Sequence, residues 1–263
     1  MPEFVSMLIL AVVQGLTEFL PVSSSGHLVL MQHLLGAREG DVFFDVVLHI
    51  GTLGSVVMVY RRDVLRLLRL DRAALGYILA LAIGTVPAVI VGLLAKDTIE
   101  RVFASPAFAG AGLLVTAAVL LSTRAARPAP SDGRAWEPKL VAPWRALVIG
   151  TAQAFAILPG VSRSGSTIAA SLWTGLERAE AARFSFLLSV PAILGALVLQ
   201  LMDGGMTGVG GGAALQLLVA AAAAFGVGLL AIRWTALAVV QAHFWKFSGY
   251  CLVVGAAALL LLR

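Results

Sequence analysis

Apolar residues run along this chain in long blocks separated by short polar segments. Clear stretches lie at 45–60, 73–95, 105–122, 184–202, 213–232 and 246–262. A bilayer core requires about 20 apolar residues per helix, and several stretches approach that length. The shorter ones must tilt or borrow residues from their flanks. Two further stretches, 4–35 and 146–174, are apolar at both ends and broken in the middle. The breaks read Leu20-Pro-Val-Ser-Ser-Ser-Gly26 and Leu158-Pro-Gly-Val-Ser-Arg-Ser-Gly165. Backbone that leaves a helix at membrane depth must be buried in protein or line a watery cavity. Each broken stretch therefore reads as a re-entrant hairpin with a polar tip. One long helix kinked at proline is the alternative, and the Pro and Gly positions with three consecutive Ser favour the hairpin. The predicted fold is an all-α integral membrane protein of six transmembrane helices plus two re-entrant helical hairpins.

The broken stretches align without a gap at an offset of 139. Gln14 meets Gln153, Val22 meets Val161, Ser23 meets Ser162, Ser25 meets Ser164 and Gly26 meets Gly165. Each half is a hairpin followed by three spans. Three is odd, so the second copy must be inverted in the membrane. The expected organisation is one membrane domain, 1–263: a first repeat 1–122, a linker 123–145 and an inverted second repeat 146–263. Inverted repeats bring their broken helices together near the bilayer midplane.

Composition supports the membrane reading. Sixty per cent of the 263 residues are hydrophobic and 13% are charged, against about 25% charged in soluble domains. Mean hydropathy is +0.96. The single cysteine, Cys251, cannot form an internal bridge and reads as packing. The net charge of +5 does not point to nucleic acid, because the basic residues fall in loops, where the positive-inside rule places them. Arg61, Arg62, Arg66, Arg69 and Arg72 follow the first span, and Arg124, Arg127, Arg134, Lys139 and Arg145 occupy or border the linker. Two spans separate these groups, so both lie on one side, expected to be cytoplasmic. Arg178, Arg183 and Arg233 fall there too, while Arg38, Lys96, Arg101, Arg263 and the Gly-rich loop 203–212 fall opposite. Both termini are then outside. The N-terminus lacks a basic leader and carries Glu3, Gln14 and Glu18, which argues against a cleaved signal peptide.

The tips carry the candidate chemistry. The first offers Gln14, Glu18, Ser23, Ser24, Ser25 and His27; Gln14 and Glu18 share one helix face at i, i+4. The second offers Ser162, Arg163, Ser164, Gly165, Ser166 and Thr167. A helix starting near Ser164 aims free N–H groups at its tip, and with a guanidinium and hydroxyls the site suits phosphate. Glu18 with Arg163 alone also fits a buried ion pair that locks the fold; the surplus hydroxyls and histidine go beyond that need. His49 with Thr52 and Ser55 fits cavity lining and structural hydrogen bonding equally. His33 and His243 sit near membrane boundaries. Gly84, Pro87 and Pro191 suit close packing and kinks, and Trp136, Trp144, Trp234 and Trp245 suit interfacial anchoring. No Cys/His spacing suggests zinc, and no phosphate-binding Gly-rich loop with its lysine is present.

The runs from Gln14 to His27 and from Pro159 to Thr167 resemble the two signature motifs of the bacitracin-resistance family of undecaprenyl-diphosphate phosphatases, and the length and span pattern fit over the whole chain. Gln14 takes the amide variant of the first motif, and Ser25 stands where relatives often have Thr. The resemblance implies hydrolysis of the C55 isoprenoid diphosphate carrier to its monophosphate and inorganic phosphate. The carrier is then reused for peptidoglycan. The implied setting is the bacterial cytoplasmic (inner) membrane, with the site facing outward. Expected partners are the polyprenyl diphosphate, the bilayer and a second copy in a homodimer, without nucleic acid. By the resemblance, Arg163 clamps the diphosphate, with Gln14, Ser23, Ser25, Ser162, Ser164, Gly165 and Thr167 binding substrate. Ser24 is the candidate nucleophile and His27 the acid or base; His27 as nucleophile, or direct attack by water, stays open. Glu18 orients or deprotonates a partner, or binds a divalent cation, Mg²⁺ or Ca²⁺. The alternative function is a transporter or flippase of a polyprenyl phosphate or another anionic ligand.

Overall fold

The computed structural model describes residues 3–35, 42–103, 105–131, 136–138, 140–202 and 211–262. Arg38, Arg134, Lys139, Arg263 and residues 203–210 of the Gly-rich loop lie outside the described residues, as do the side chains of Glu3 and Lys96. Twelve α-helices are described: α1 Glu3–Thr17, α2 Ser24–Leu35, α3 Val42–Val59, α4 Arg61–Leu67, α5 Arg72–Leu94, α6 Lys96–Phe103, α7 Pro106–Ser122, α8 Pro143–Phe155, α9 Arg163–Trp173, α10 Arg178–Met202, α11 Gly211–Val240 and α12 Phe247–Leu261.

Among the described residues five helices are long and apolar enough to cross a membrane; α3 makes a sixth when joined to α4, from which it is bent by 78°. The chain is an all-α integral membrane protein. Leu94 is 84% exposed and Leu260 71% exposed; such outward apolar faces are stable in lipid rather than water. The helix pairs α1–α2 and α8–α9 are the two broken stretches, and one such pair opens each half of the chain. Local chemistry sets several ends. The Asp71 carboxylate accepts from Ala74 N–H at 2.9 Å to cap α5, and Pro106 and Pro143 open α7 and α8, where no N–H is needed.

Packing ties each hairpin to the other half. Helix α1 lies against α11, and α8 against α5. Both crossings need small residues. A Cβ on Gly15 would come 2.6 Å from Ala224 O, and one on Gly150 2.3 Å from Gly84 O. Helix α7 packs against both α12 and α2, and α10 touches α3, α5, α9 and α11.

The basic loops gather at one end. Arg66 Nε donates to Glu137 Oε2 at 2.8 Å, Arg124 lies 4.7 Å over the Trp245 ring, and Arg183 Nε is 3.5 Å from Asp63 Oδ2. Trp136 departs from the anchoring role expected of it. Its Nε1 donates to buried Glu180 at 2.8 Å, its ring meets Tyr77 edge-on at 5.6 Å, and Arg183 stacks over it at 4.8 Å. A buried carboxylate must be paired, and the tryptophan supplies one of its donors.

Candidate functional site

The two tips meet. Each break leaves carbonyls without helical partners, and several of them find one elsewhere in the protein, as membrane depth demands. For the first tip, Thr235 Oγ1 donates to Phe19 O at 3.0 Å, Ser164 Oγ to Leu20 O at 3.2 Å, and Cys251 Sγ weakly to Pro21 O at 3.6 Å. For the second, Thr116 Oγ1 of α7 donates to Gly160 O at 2.8 Å and accepts from Ser162 N–H at 2.9 Å. Gly160 has φ +83°, and a Cβ there would lie 2.0 Å from Ala109 O, so only glycine lets this tip rest on α7. The tips themselves touch closely, since a Cβ on Gly26 would sit 2.8 Å from Gly160 Cα.

Glu18 is the centre of the arrangement. It follows α1 directly and is 7% exposed. One carboxylate oxygen, Oε1, pairs with Arg163 Nη2 across the tips. The other, Oε2, accepts from Ser24 Oγ at 2.5 Å and from Gln14 Nε2 at 3.0 Å. His49 Nε2 approaches Oε2 at 3.9 Å, with its Nδ1 held by Asp45 O at 2.7 Å. The ring thus lies beside the cluster and is hydrogen-bonded within its own helix, so both roles its sequence context allowed are present. Arg163 opens α9, where Ser162 is the N-cap and its Oγ accepts from Gly165 N–H at 3.0 Å. Ser162 and Ser164 share a hydroxyl contact at 3.2 Å, and Thr167 reaches Ser185 Oγ at 2.5 Å. Below Glu18, Phe19 packs edge-on against Phe186 at 5.9 Å, and Phe186 meets Tyr60.

Two buried atoms at the site have no partner among the described residues: Arg163 Nη1 and Gln14 Oε1. A free guanidinium donor beside a helix N-terminus is a place for an anion.

The structure thus brings Gln14, Glu18, Ser24 and Arg163 into one cluster, with Ser162, Ser164, Gly165 and Thr167 building the helix start behind the arginine. Ser23 and Ser25 contact each other at 3.2 Å. His27 is not drawn into the cluster: its ring bonds to Ser23 O and to Tyr250. Thr116, Thr235 and Tyr250 give no comparable signal in the sequence, where each lies in a predominantly apolar helix.

The residues present do not fit a resident divalent cation. Both Glu18 oxygens are engaged, and among the described residues no group of three His, Cys, Asp or Glu side chains stands close enough to hold a metal. Hard cations take six or more oxygens, and here most would have to come from the substrate.

Fold and site define a class: a polytopic membrane protein with a buried carboxylate–serine–arginine cluster where two broken helices meet. A family model described as "Bacitracin resistance protein BacA" matches residues 7–257, and the chain belongs to that family. It is 42% identical over 262 residues to an undecaprenyl-diphosphatase of Rhodopirellula baltica, covering 99% of each chain. A protein of the same name from Desulfatibacillum aliphaticivorans is 40% identical, with 98% of each chain covered. One from Korarchaeum cryptofilum is also 40% identical, covering 99% of this chain and 100% of its own.

Proposed function

We propose that this protein is a membrane phosphatase that hydrolyses undecaprenyl diphosphate to undecaprenyl phosphate and inorganic phosphate. It thereby recycles the lipid carrier for peptidoglycan synthesis and gives resistance to bacitracin. The family and its near-full-length relatives support the activity. The single observation that carries the site is Glu18 bridging the Ser24 hydroxyl and the Arg163 guanidinium across the two tips.

The chemistry follows from that bridge. Arg163 binds the diphosphate and stabilises the charge that spreads over the transferring phosphoryl group. Ser24 Oγ attacks the terminal phosphorus and its proton passes to Glu18 Oε2. The bond to the bridging oxygen breaks, and undecaprenyl phosphate leaves. Water then cleaves the phosphoserine. Its oxygen departs in inorganic phosphate, one of its protons returns to Ser24 Oγ, and the proton on Glu18 passes to bulk water. No step runs through a metal, and Mg²⁺ or Ca²⁺ enters this proposal only as a counter-ion on the substrate's own oxygens.

The proposed setting is the cytoplasmic membrane, with the basic end inside and the tips open to the outer side. The halves are proposed to be inverted copies; the paired crossings of α1 on α11 and α8 on α5 support this. The test is single-turnover reaction with substrate carrying ³²P in its terminal phosphate. An acid-stable, base-labile label on Ser24, lost in Ser24→Ala, is the expected result. Phosphate release without it, or an acid-labile label on His27, would overturn the assignment of Ser24. No release at all would overturn the activity.

A further inference from the structure

His27 has both ring nitrogens occupied. Nδ1 lies 2.8 Å from the Ser23 carbonyl oxygen and Nε2 lies 2.7 Å from the Tyr250 hydroxyl. A carbonyl only accepts, so Nδ1 carries hydrogen; in the neutral ring Nε2 then accepts from the Tyr250 O–H. The two rings also stack, with centroids 5.6 Å apart and planes within 8°. The His27 backbone N–H donates to the same Ser23 oxygen at 3.2 Å. A general base or a nucleophile needs an uncommitted lone pair, and here the neutral ring has none.

What His27 holds is an unusual residue. Ser23 has φ +68°, a left-handed conformation that is strained for a residue with a side chain. It stands immediately before Ser24, the first residue of α2. The orientation of the Ser23 peptide therefore sets where the Ser24 hydroxyl points. We propose that Tyr250 and His27 form a strut that fixes the Ser23 carbonyl and thereby positions Ser24. Tyr250, on α12 and outside both motifs, is thus a positioning residue for the reaction. This rests on the phosphatase reading with Ser24 as the nucleophile.

The test is steady-state hydrolysis of undecaprenyl diphosphate in detergent, as a function of pH, by the full chain and four variants: Tyr250→Phe, His27→Ala, His27→Asn and the Tyr250→Phe/His27→Ala double. Tyr250→Phe keeps the ring and its stacking while removing one hydrogen bond. It is expected to lower kcat about tenfold, with KM changed less than about twofold. His27→Ala lowers kcat further. His27→Asn restores part of the loss, because its amide N–H can replace Nδ1–H, and it keeps the acid limb of the pH profile. In the His27→Ala background, Tyr250→Phe adds nothing, since its route to Ser24 is already cut. The idea fails if Tyr250→Phe turns over like the unmodified protein or costs the same in both backgrounds. It fails equally if His27→Asn is as inactive as His27→Ala. Labelling of Ser24 in the unmodified protein, run alongside, separates the two levels. Its absence overturns the nucleophile assignment and this strut with it. A labelled Ser24 together with any of those failures overturns the strut alone.

Discussion

Glu18 holds a serine with one oxygen and an arginine with the other, so small changes here separate charge from shape. Glu18→Gln keeps the size and can still accept from Ser24, yet no longer takes its proton. Phosphate release is expected to fall by about 10²- to 10⁴-fold, while the detergent-solubilised protein elutes as before. Arg163→Lys keeps the positive charge but loses the planar fork. It is expected to raise KM and lower kcat in the same assay; unchanged values of both would remove Arg163 from the substrate. These residues are legible in the sequence because an ionisable group inside an apolar helix is costly and asks for a reason. Tyr250 is not. A tyrosine in a span has many uses, and its partner His27 is 223 residues away in the chain. His49 is half legible: its place in a helix is plain, whereas its approach to Glu18 depends on how α3 packs beside α1.

At the level of elements, the second tip depends on α7. Thr116→Val removes the hydroxyl that serves both Gly160 O and Ser162 N–H. Two buried groups left unpaired cost about 1–3 kcal/mol each, so thermal unfolding in detergent should drop by several degrees. Gly160→Ala meets both a positive φ and a carbonyl at 2.0 Å, and the expected outcome is no folded protein on size exclusion. Hydrophobic blocks and broken tips suffice to place five spans and both pairs of broken helices; α3 counts as a sixth span only together with the bent α4. Their ends are less readable. Helix α10 starts at Arg178, not 184, because Glu180 and Arg183 are paired and need not stay in a loop. Helix α11 runs to Val240, not 232; Arg233 marks the basic boundary and does not break the helix. Helix α4 hides in an arginine-rich loop whose charges mask its regular turns.

Across the whole molecule, the basic end is tied together by one buried network. Glu180 accepts from Tyr77 at 2.7 Å, from Trp136 at 2.8 Å and from Arg183 at 3.3 Å, joining the linker, α5 and α10. Removing one partner of a buried ionic group costs about 3–5 kcal/mol. Glu180→Ala should therefore unfold at clearly lower temperature, yet still label Ser24 in the cold; equal thermal stability would mean that the linker is not anchored there. The side on which the basic loops gather is readable from charge alone. This network is not, because Tyr77 and Glu180 are 103 residues apart. The crossing of α1 on α11 has a consequence for biogenesis. Gly15 rests on Ala224, and Glu18 waits for Arg163, which is 145 residues downstream. While the ribosome is still making the second half, the first hairpin has neither its supporting helix nor its counter-charge. Its final contacts can form only after α9 and α11 have been made.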